Sequence, residues 1–207
     1  MGEPPLARGV LLDRDGTLIE ERHFITCSED VHLLPGAAGA LASLQRAGYR
    51  LVVVTNQSGV ARGYLTREKL EEIHEHLDGL LRRAGVELDG ILYCPHHPRG
   101  TIPAYTRACR CRKPSPGLIE EALHAFALDP QTSWVIGDSA RDLACAAAWP
   151  LRRILVSTGY GEGARTSPEL RACPPHHVVA DLVEAARCIL APDPGEACIR
   201  YPPRIVP

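Results

Sequence analysis

The sequence lacks any uncharged apolar stretch approaching the roughly 18 residues that a membrane-spanning helix needs. It opens on Met1-Gly-Glu-Pro-Pro, without the basic segment and short apolar core of a secretory signal. Neither sign of charge dominates: 23 Lys and Arg stand against 25 Asp and Glu, for a net charge of −2. There is no internal repeat. These absences argue against a membrane anchor and against the electrostatic footprint of a nucleic-acid or lipid-surface binder. A cytoplasmic chain acting on a small molecule is expected, with no nucleic-acid or membrane partner and a monomer as the default assembly.

Cysteine is not scarce. There are eight in 207 residues, yet a chain this long buries about 70% of its unfolded surface and needs no disulfide to hold a core. In a reducing compartment, clustered cysteines bind metals more often than they cross-link.

Short apolar runs alternate with helical patterns. Strands are expected at 9–13, 50–55, 89–93, 132–137 and 153–157, with a weaker one at 177–180. Helices are expected at 36–47, 66–84, 116–127, 139–148 and 181–191. Thr66 is a candidate N-cap for the second of these, with Leu70, Ile73, Leu77 and Leu80/Leu81 on one stripe. The alternation predicts an α/β fold with a doubly wound parallel sheet. Two stretches break the rhythm: 94–115, rich in Cys, His, Pro and Arg, and 192–207, which reads as an irregular tail. One domain over 1–191 is the expected organisation.

Four motifs fall at strand ends or a helix start, where an open α/β sheet presents side chains to a ligand. The first is Asp13-Arg14-Asp15-Gly16-Thr17. Period-two alternation would aim both carboxylates to one side, where they would converge on one small volume, and their mutual repulsion would call for a divalent cation. The second, Thr55-Asn56-Gln57-Ser58-Gly59, offers hydroxyl, amide and main-chain N–H groups to an anion. The third, Cys111-Arg112-Lys113-Pro114, sets a lysine just before a helix N-terminus. The fourth, Gly137-Asp138-Ser139-Ala140-Arg141-Asp142, ends a strand on one aspartate and places another a helical turn further on. Taken singly, the last three read as a turn, a solvated basic loop and a helix N-cap.

Together, and in this order, the four motifs resemble the haloacid dehalogenase superfamily of phosphatases over about residues 9–145. The resemblance implies a Rossmann-like fold and a phosphomonoesterase that works through an aspartyl-phosphate. It implies Asp13 as nucleophile, Asp15 as general acid and then base, and Mg²⁺ held by Asp13, the main-chain carbonyl of Asp15, and Asp138. Thr55 and Lys113 would bind phosphoryl oxygens, together with Asn56, Gln57 and Ser58 of the same loop, while Asp142 would orient Lys113 or support the metal.

Residues 94–111 read Cys94-Pro-His96-His97 … Cys109-Arg-Cys111. In extended backbone residues i and i+2 share a face, so Cys94 pairs with His96 and Cys109 with Cys111. Four such ligands suit tetrahedral structural Zn²⁺. By the same alternation His97 points away. The other cysteines need no special role, Cys145 and Cys188 being expected in the core and Cys27, Cys173 and Cys198 as ordinary thiols. The zinc segment is similar to the zinc-containing, capless branch of the superfamily, and no stretch is left for a separate lid. The 55–63 segment within it resembles the heptose-bisphosphate phosphatases, with histidinol-phosphate phosphatases the nearest alternative. The implied substrate is a sugar bisphosphate, most closely the 7-phosphate of heptose 1,7-bisphosphate. A second phosphate would need Arg62, Arg110 or Arg112, of which Arg112 matches the family position. The loop at 20–26 departs from the heptose pattern. A zinc-stabilised binding module without catalysis is the alternative of another class.

Overall fold

The computed structural model describes residues 5–192. The tail assigned to 192–207 lies, beyond its first residue, outside them, as does Cys198. Six strands form one all-parallel sheet: β1 (Gly9–Leu12), β2 (Arg50–Asn56), β3 (Gly90–Cys94), β4 (Trp134–Gly137), β5 (Arg152–Val156) and β6 (His177–Val179), in the order β3-β2-β1-β4-β5-β6. The helices are α1 (Ala37–Arg46), α2 (Arg67–Arg83), α3 (Gly117–Ala125), α4 (Ala140–Ala144), α5 (Gly161–Ala164), α6 (Pro168–Ala172) and α7 (Leu182–Leu190). No helix among the described residues is long and apolar enough to cross a membrane.

The sheet is covered on both faces, which is why its central strands are continuous apolar runs. Val10 and Leu12 of β1, with Leu51 and Val53 of β2, pack with residues of α1, α2 and α7, among them Leu41, Leu44, Ile73, Leu77 and Ile189. Leu11, Val52 and Val54 point the other way and pack with Leu118, Ile119 and Ala122 of α3, Leu143 of α4 and Leu170 of α6. Strand order reverses at β1. Its neighbours are β2 on one side and β4 on the other, so the carboxyl ends of β1 and β4 flank the crevice where a doubly wound sheet binds its ligand.

The long elements fall within a few residues of expectation. The helix expected at 139–148 is shorter, and its continuation tightens into i→i−3 bonds from Ala146, Ala147 and Trp149. Pro150 follows directly, and proline disfavours helical backbone in the residue before it. The short helices α5 and α6 were not expected. At four and five residues neither is long enough to display a helical period. Ser167 nevertheless caps α6 by accepting from Leu170 N, with Pro168 at its first position, a start signal that the sequence carries. Cys188 is buried as expected, but it is disulfide-bonded rather than a plain core thiol.

Candidate active site

A cavity of about 240 Å³ opens at the carboxyl ends of β1, β2 and β4, lined by Asp13, Asp15, Thr55, Asn56, Gln57, Ser58, Arg112, Lys113, Asp138 and Asp142. Residues 55–58 emerge from β2, and Lys113 comes from the irregular segment that precedes α3. The loop at 20–26 supplies further walls through Glu21, His23 and Phe24, opposite Arg62, Arg141 and Tyr160.

Lys113 is the centre of charge. It is 2% exposed, and its Nζ lies 2.9 Å from Asp13 Oδ1 and 2.7 Å from Asp142 Oδ1, while donating to Val54 O at 2.8 Å. Burial alone would lower its pKa, but the Asp13 and Asp142 carboxylates outweigh it and hold the ammonium above its ordinary range. Burial likewise works against the charge of Asp142, and Lys113 with Ser139 keeps it below the usual carboxylate value. Ser139 N donates to Asp142 Oδ2 at 3.0 Å, and Ser139 Oγ donates to the same oxygen. That capping box at the start of α4 aims Asp142 at the lysine. Asp142 is thus ion-paired with Lys113 and also belongs to the carboxylate cluster.

One ammonium is too little charge for the carboxylates around it. Oxygens of Asp13, Asp138 and Asp142 all lie within 4.8 Å of one another. Asp13 is pushed up to about 6, first by burial and then by Asp142. Asp138 is pushed up to about 8 by burial and by Asp13, even though it accepts from Tyr160 N at 2.8 Å. Such a buried all-oxygen cluster with an excess of negative charge fits a hard divalent cation. Gly16 (φ +75°) and Gly159 (φ +56°) meet beside Asp138, and a Cβ on either would run into its carboxylate. Both positions therefore exclude larger residues while keeping this corner tight.

Asp13 and Asp15 both line this pocket, but strand alternation is not what brings the second one there. β1 ends at Leu12, so strand alternation does not reach Asp15. Its carboxylate accepts from Arg14 Nη2 at 2.9 Å and from Gln57 Nε2 at 2.8 Å. The carboxylates that raise Asp13 are Asp142 first and then Asp15, while Asp138 shares the oxygen cluster. The amide of Asn56 is directed at the main chain of Lys113, donating to its O and accepting from its N, each at 3.0 Å. Asn56 therefore clamps the basic loop to β2. Gln57 bridges Asp15 and Thr55 Oγ1, and Ser58 stands in the pocket wall.

Beside the pocket, the Sγ atoms of Cys94, Cys109 and Cys111 stand 3.2 to 3.4 Å apart. His96 Nδ1 lies 3.3 Å from Cys111 Sγ and 3.8 Å from Cys94 Sγ. All four donors fall within 4.8 Å of one another, which makes a compact tetrahedron of free thiols and one imidazole, the donor set of structural zinc. His97 faces away, as alternation requires, with Nε2 3.0 Å from Arg62 Nη2. Arg112 reaches from this loop into the pocket wall and donates to His96 O at 3.3 Å.

Motif reading missed Arg14, His74, Ser139 and Tyr160. His74 is buried on α2, and burial, followed by the Arg14 charge, pulls it down to about 3 from 6.5. The unfolded chain therefore takes up a proton there that the folded protein refuses. Stability is fully present above about pH 6.5 and is lost as pH falls toward 3, at roughly 1.4 kcal/mol per pH unit. Denaturant unfolding between pH 7 and 5 should show a steeper loss for the wild type than for His74→Gln. Equal slopes would contradict a neutral buried ring.

The sheet order and the strand-end carboxylates with their buried lysine define a hydrolase of the haloacid dehalogenase type, and residues 110–185 match the HAD-hydrolase-like family model. D-glycero-beta-D-manno-heptose-1,7-bisphosphate 7-phosphatase of Photorhabdus laumondii is 38% identical over 181 residues, 87% of this chain and 95% of the relative. The phosphatase of that name from Escherichia coli K12 is 38% identical over 151 residues, covering 72% and 79%. The crystal structure of D,D-heptose 1,7-bisphosphate phosphatase from B. bronchiseptica, complexed with magnesium and phosphate, superposes with a TM-score of 0.79 at 33% identity, covering 88% of this chain and 98% of the other. The chain belongs to this heptose-bisphosphate phosphatase family.

Proposed function

We propose that the protein hydrolyses the 7-phosphate of D-glycero-D-manno-heptose 1,7-bisphosphate through an aspartyl-phosphate on Asp13. The observation that carries this reading is the buried Lys113 ammonium beside Asp13, at the carboxyl end of β1. Family membership at 38% identity supplies the substrate. Arg14 N at 2.8 Å and Lys113 Nζ both engage Asp13 Oδ1, so we assign the attack to Oδ2. The Asp13 O–P bond forms as the bond from phosphorus to the sugar oxygen breaks. Asp15 gives its proton to that oxygen, then takes one from the water that attacks phosphorus and frees Asp13 and inorganic phosphate. Thr55, Ser58 and Lys113 hold the phosphoryl oxygens, and Asn56 and Gln57 hold Lys113 and Asp15 in place. Arg112, with Arg62, faces the distal phosphate.

Mg²⁺, held by Asp13, Asp138 and the Asp15 carbonyl, would supply the positive charge that lets an anionic nucleophile approach a phosphate dianion. Cys94, His96, Cys109 and Cys111 would hold a structural Zn²⁺ that fixes the loop carrying Arg112 and Lys113. We place the protein in the cytoplasm as a monomer, with 1–191 as one capless domain.

The test compares kcat/KM for heptose 1,7-bisphosphate, both anomers, with histidinol phosphate and fructose 1,6-bisphosphate. The heptose should lead by at least tenfold. A lead for histidinol phosphate would reassign the substrate. No hydrolysis at all, with salt-steep nucleic-acid binding, would indicate a binding module instead.

A further inference from the structure

Arg14 sits between the two strand-end carboxylates and is 1% exposed. A guanidinium so deeply buried is stable only when its donors are paired. Its Nε donates to Asp15 Oδ2 at 3.1 Å and its Nη2 to Asp15 Oδ1 at 2.9 Å, a two-pronged grip on one carboxylate. Its remaining arm, Nη1, lies 3.1 Å from His74 Nε2. Guanidinium has donors and no acceptor. His74 Nε2 must therefore present a lone pair, with the ring proton on Nδ1. His74 is held between Ile73 and Leu77 of the packed face of α2, and the Tyr93 ring meets it edge-on at 5.2 Å. Tyr93 is itself tied to Glu71 and Arg67. A rigid chain thus runs from α2 through Arg14 to the carboxylate that lines the pocket.

We propose that His74 is a positioning residue for catalysis, its neutral imidazole accepting from Arg14 so that the guanidinium fork aims Asp15 at the leaving-group oxygen. This rests on Asp15 being the general acid. The arrangement gives a selective expectation. An alkyl leaving group needs the proton from Asp15 as the P–O bond breaks, whereas p-nitrophenol departs as a stable anion without it. Since kcat/KM covers only the steps through phosphoryl transfer to Asp13, it isolates that proton.

The test measures kcat/KM for heptose 1,7-bisphosphate and for p-nitrophenyl phosphate in parallel. Asp15→Asn sets the scale, losing about 10²–10⁴ on the sugar and far less on the aryl ester. His74→Leu should lose about tenfold to a hundredfold on the sugar, part of that same contribution, and leave the aryl ester nearly unchanged. His74→Gln, whose amide oxygen can accept from Arg14, should restore the sugar rate. A parallel loss on both substrates, or no loss on either, would overturn the proposal. If His74→Leu does not fold, Arg14→Lys takes its place, keeping the charge while losing the fork, with the same selective loss expected and an equal loss overturning the idea. Failure of Asp15→Asn to separate the substrates would overturn the role of Asp15 itself. A wild type that ignores the heptose would overturn only the substrate, and fructose 1,6-bisphosphate would then serve as the alkyl ester.

Discussion

Asp13→Asn is expected to abolish turnover, by roughly 10⁶ or more in kcat, the scale seen when a covalent nucleophile is removed elsewhere, while the protein stays folded and its content of any metal at the Cys94/His96/Cys109/Cys111 cluster is unchanged. The amide has nearly the same shape but neither the charge nor the nucleophilicity of the carboxylate. Lys113 loses its partner at 2.9 Å and retains Asp142 at 2.7 Å, so no buried ammonium is stranded. The substitution also removes one of three crowded carboxylates, the one pushed up to about 6 by burial and by Asp142. Without added Mg²⁺ the variant should therefore be no less stable than the wild type at neutral pH. Steady-state kinetics with a thermal melt and metal analysis checks all three statements. Residual activity near wild type would remove Asp13 from the chemistry.

Cys109→Ser should remove bound zinc and much of the order of residues 94–113. Cys109 Sγ lies 3.4 Å from Cys94 Sγ and 3.2 Å from Cys111 Sγ, so its loss takes a corner from the tetrahedron. Beyond the end of β3 at Cys94 that segment holds no regular structure except the short 3₁₀ turn at Pro103–Tyr105, and a metal would stand where a core is lacking. Zinc contributes roughly 10–16 kcal/mol of apparent binding energy in finger-like peptides, so a loss of several kcal/mol in stability is expected. Activity should fall with it, because Arg112 and Lys113 follow the site directly. The two reciprocal bonds from Asn56 to Lys113 should keep the loss of kcat smaller than that of Asp13→Asn. Metal analysis and denaturant unfolding decide the matter, and unchanged zinc content would contradict the assignment.

Much of this site could be read from the chain because it hangs from strand ends. Asp13, Thr55 and Asp138 lie in or directly after short apolar runs, and parallel strands bring such positions to one edge whatever the helices do. The Cys94, His96, Cys109 and Cys111 cluster was legible for a similar reason, since residues two apart share a face in extended chain. What stayed hidden depends on contacts without a period. Arg14 occupies the unspecified place in its motif, and its partner His74 is 60 residues away. Tyr160 supports Asp138 through a main-chain N–H, which no residue type advertises. Asp15 reaches the pocket from beyond the end of β1, where a turn, not a strand, decides direction. The capping box of Ser139 and Asp142 was visible as spacing, but its purpose emerged only with Lys113 in place.

The most direct test of the account is a rapid acid quench of the wild type during turnover of heptose 1,7-bisphosphate, followed by mass analysis of the peptide containing residues 9–22. The account predicts one phosphoryl group on Asp13, formed before phosphate is released and absent from Asp13→Asn. Phosphate release with no such adduct at any time, or an adduct on a different residue, would contradict it.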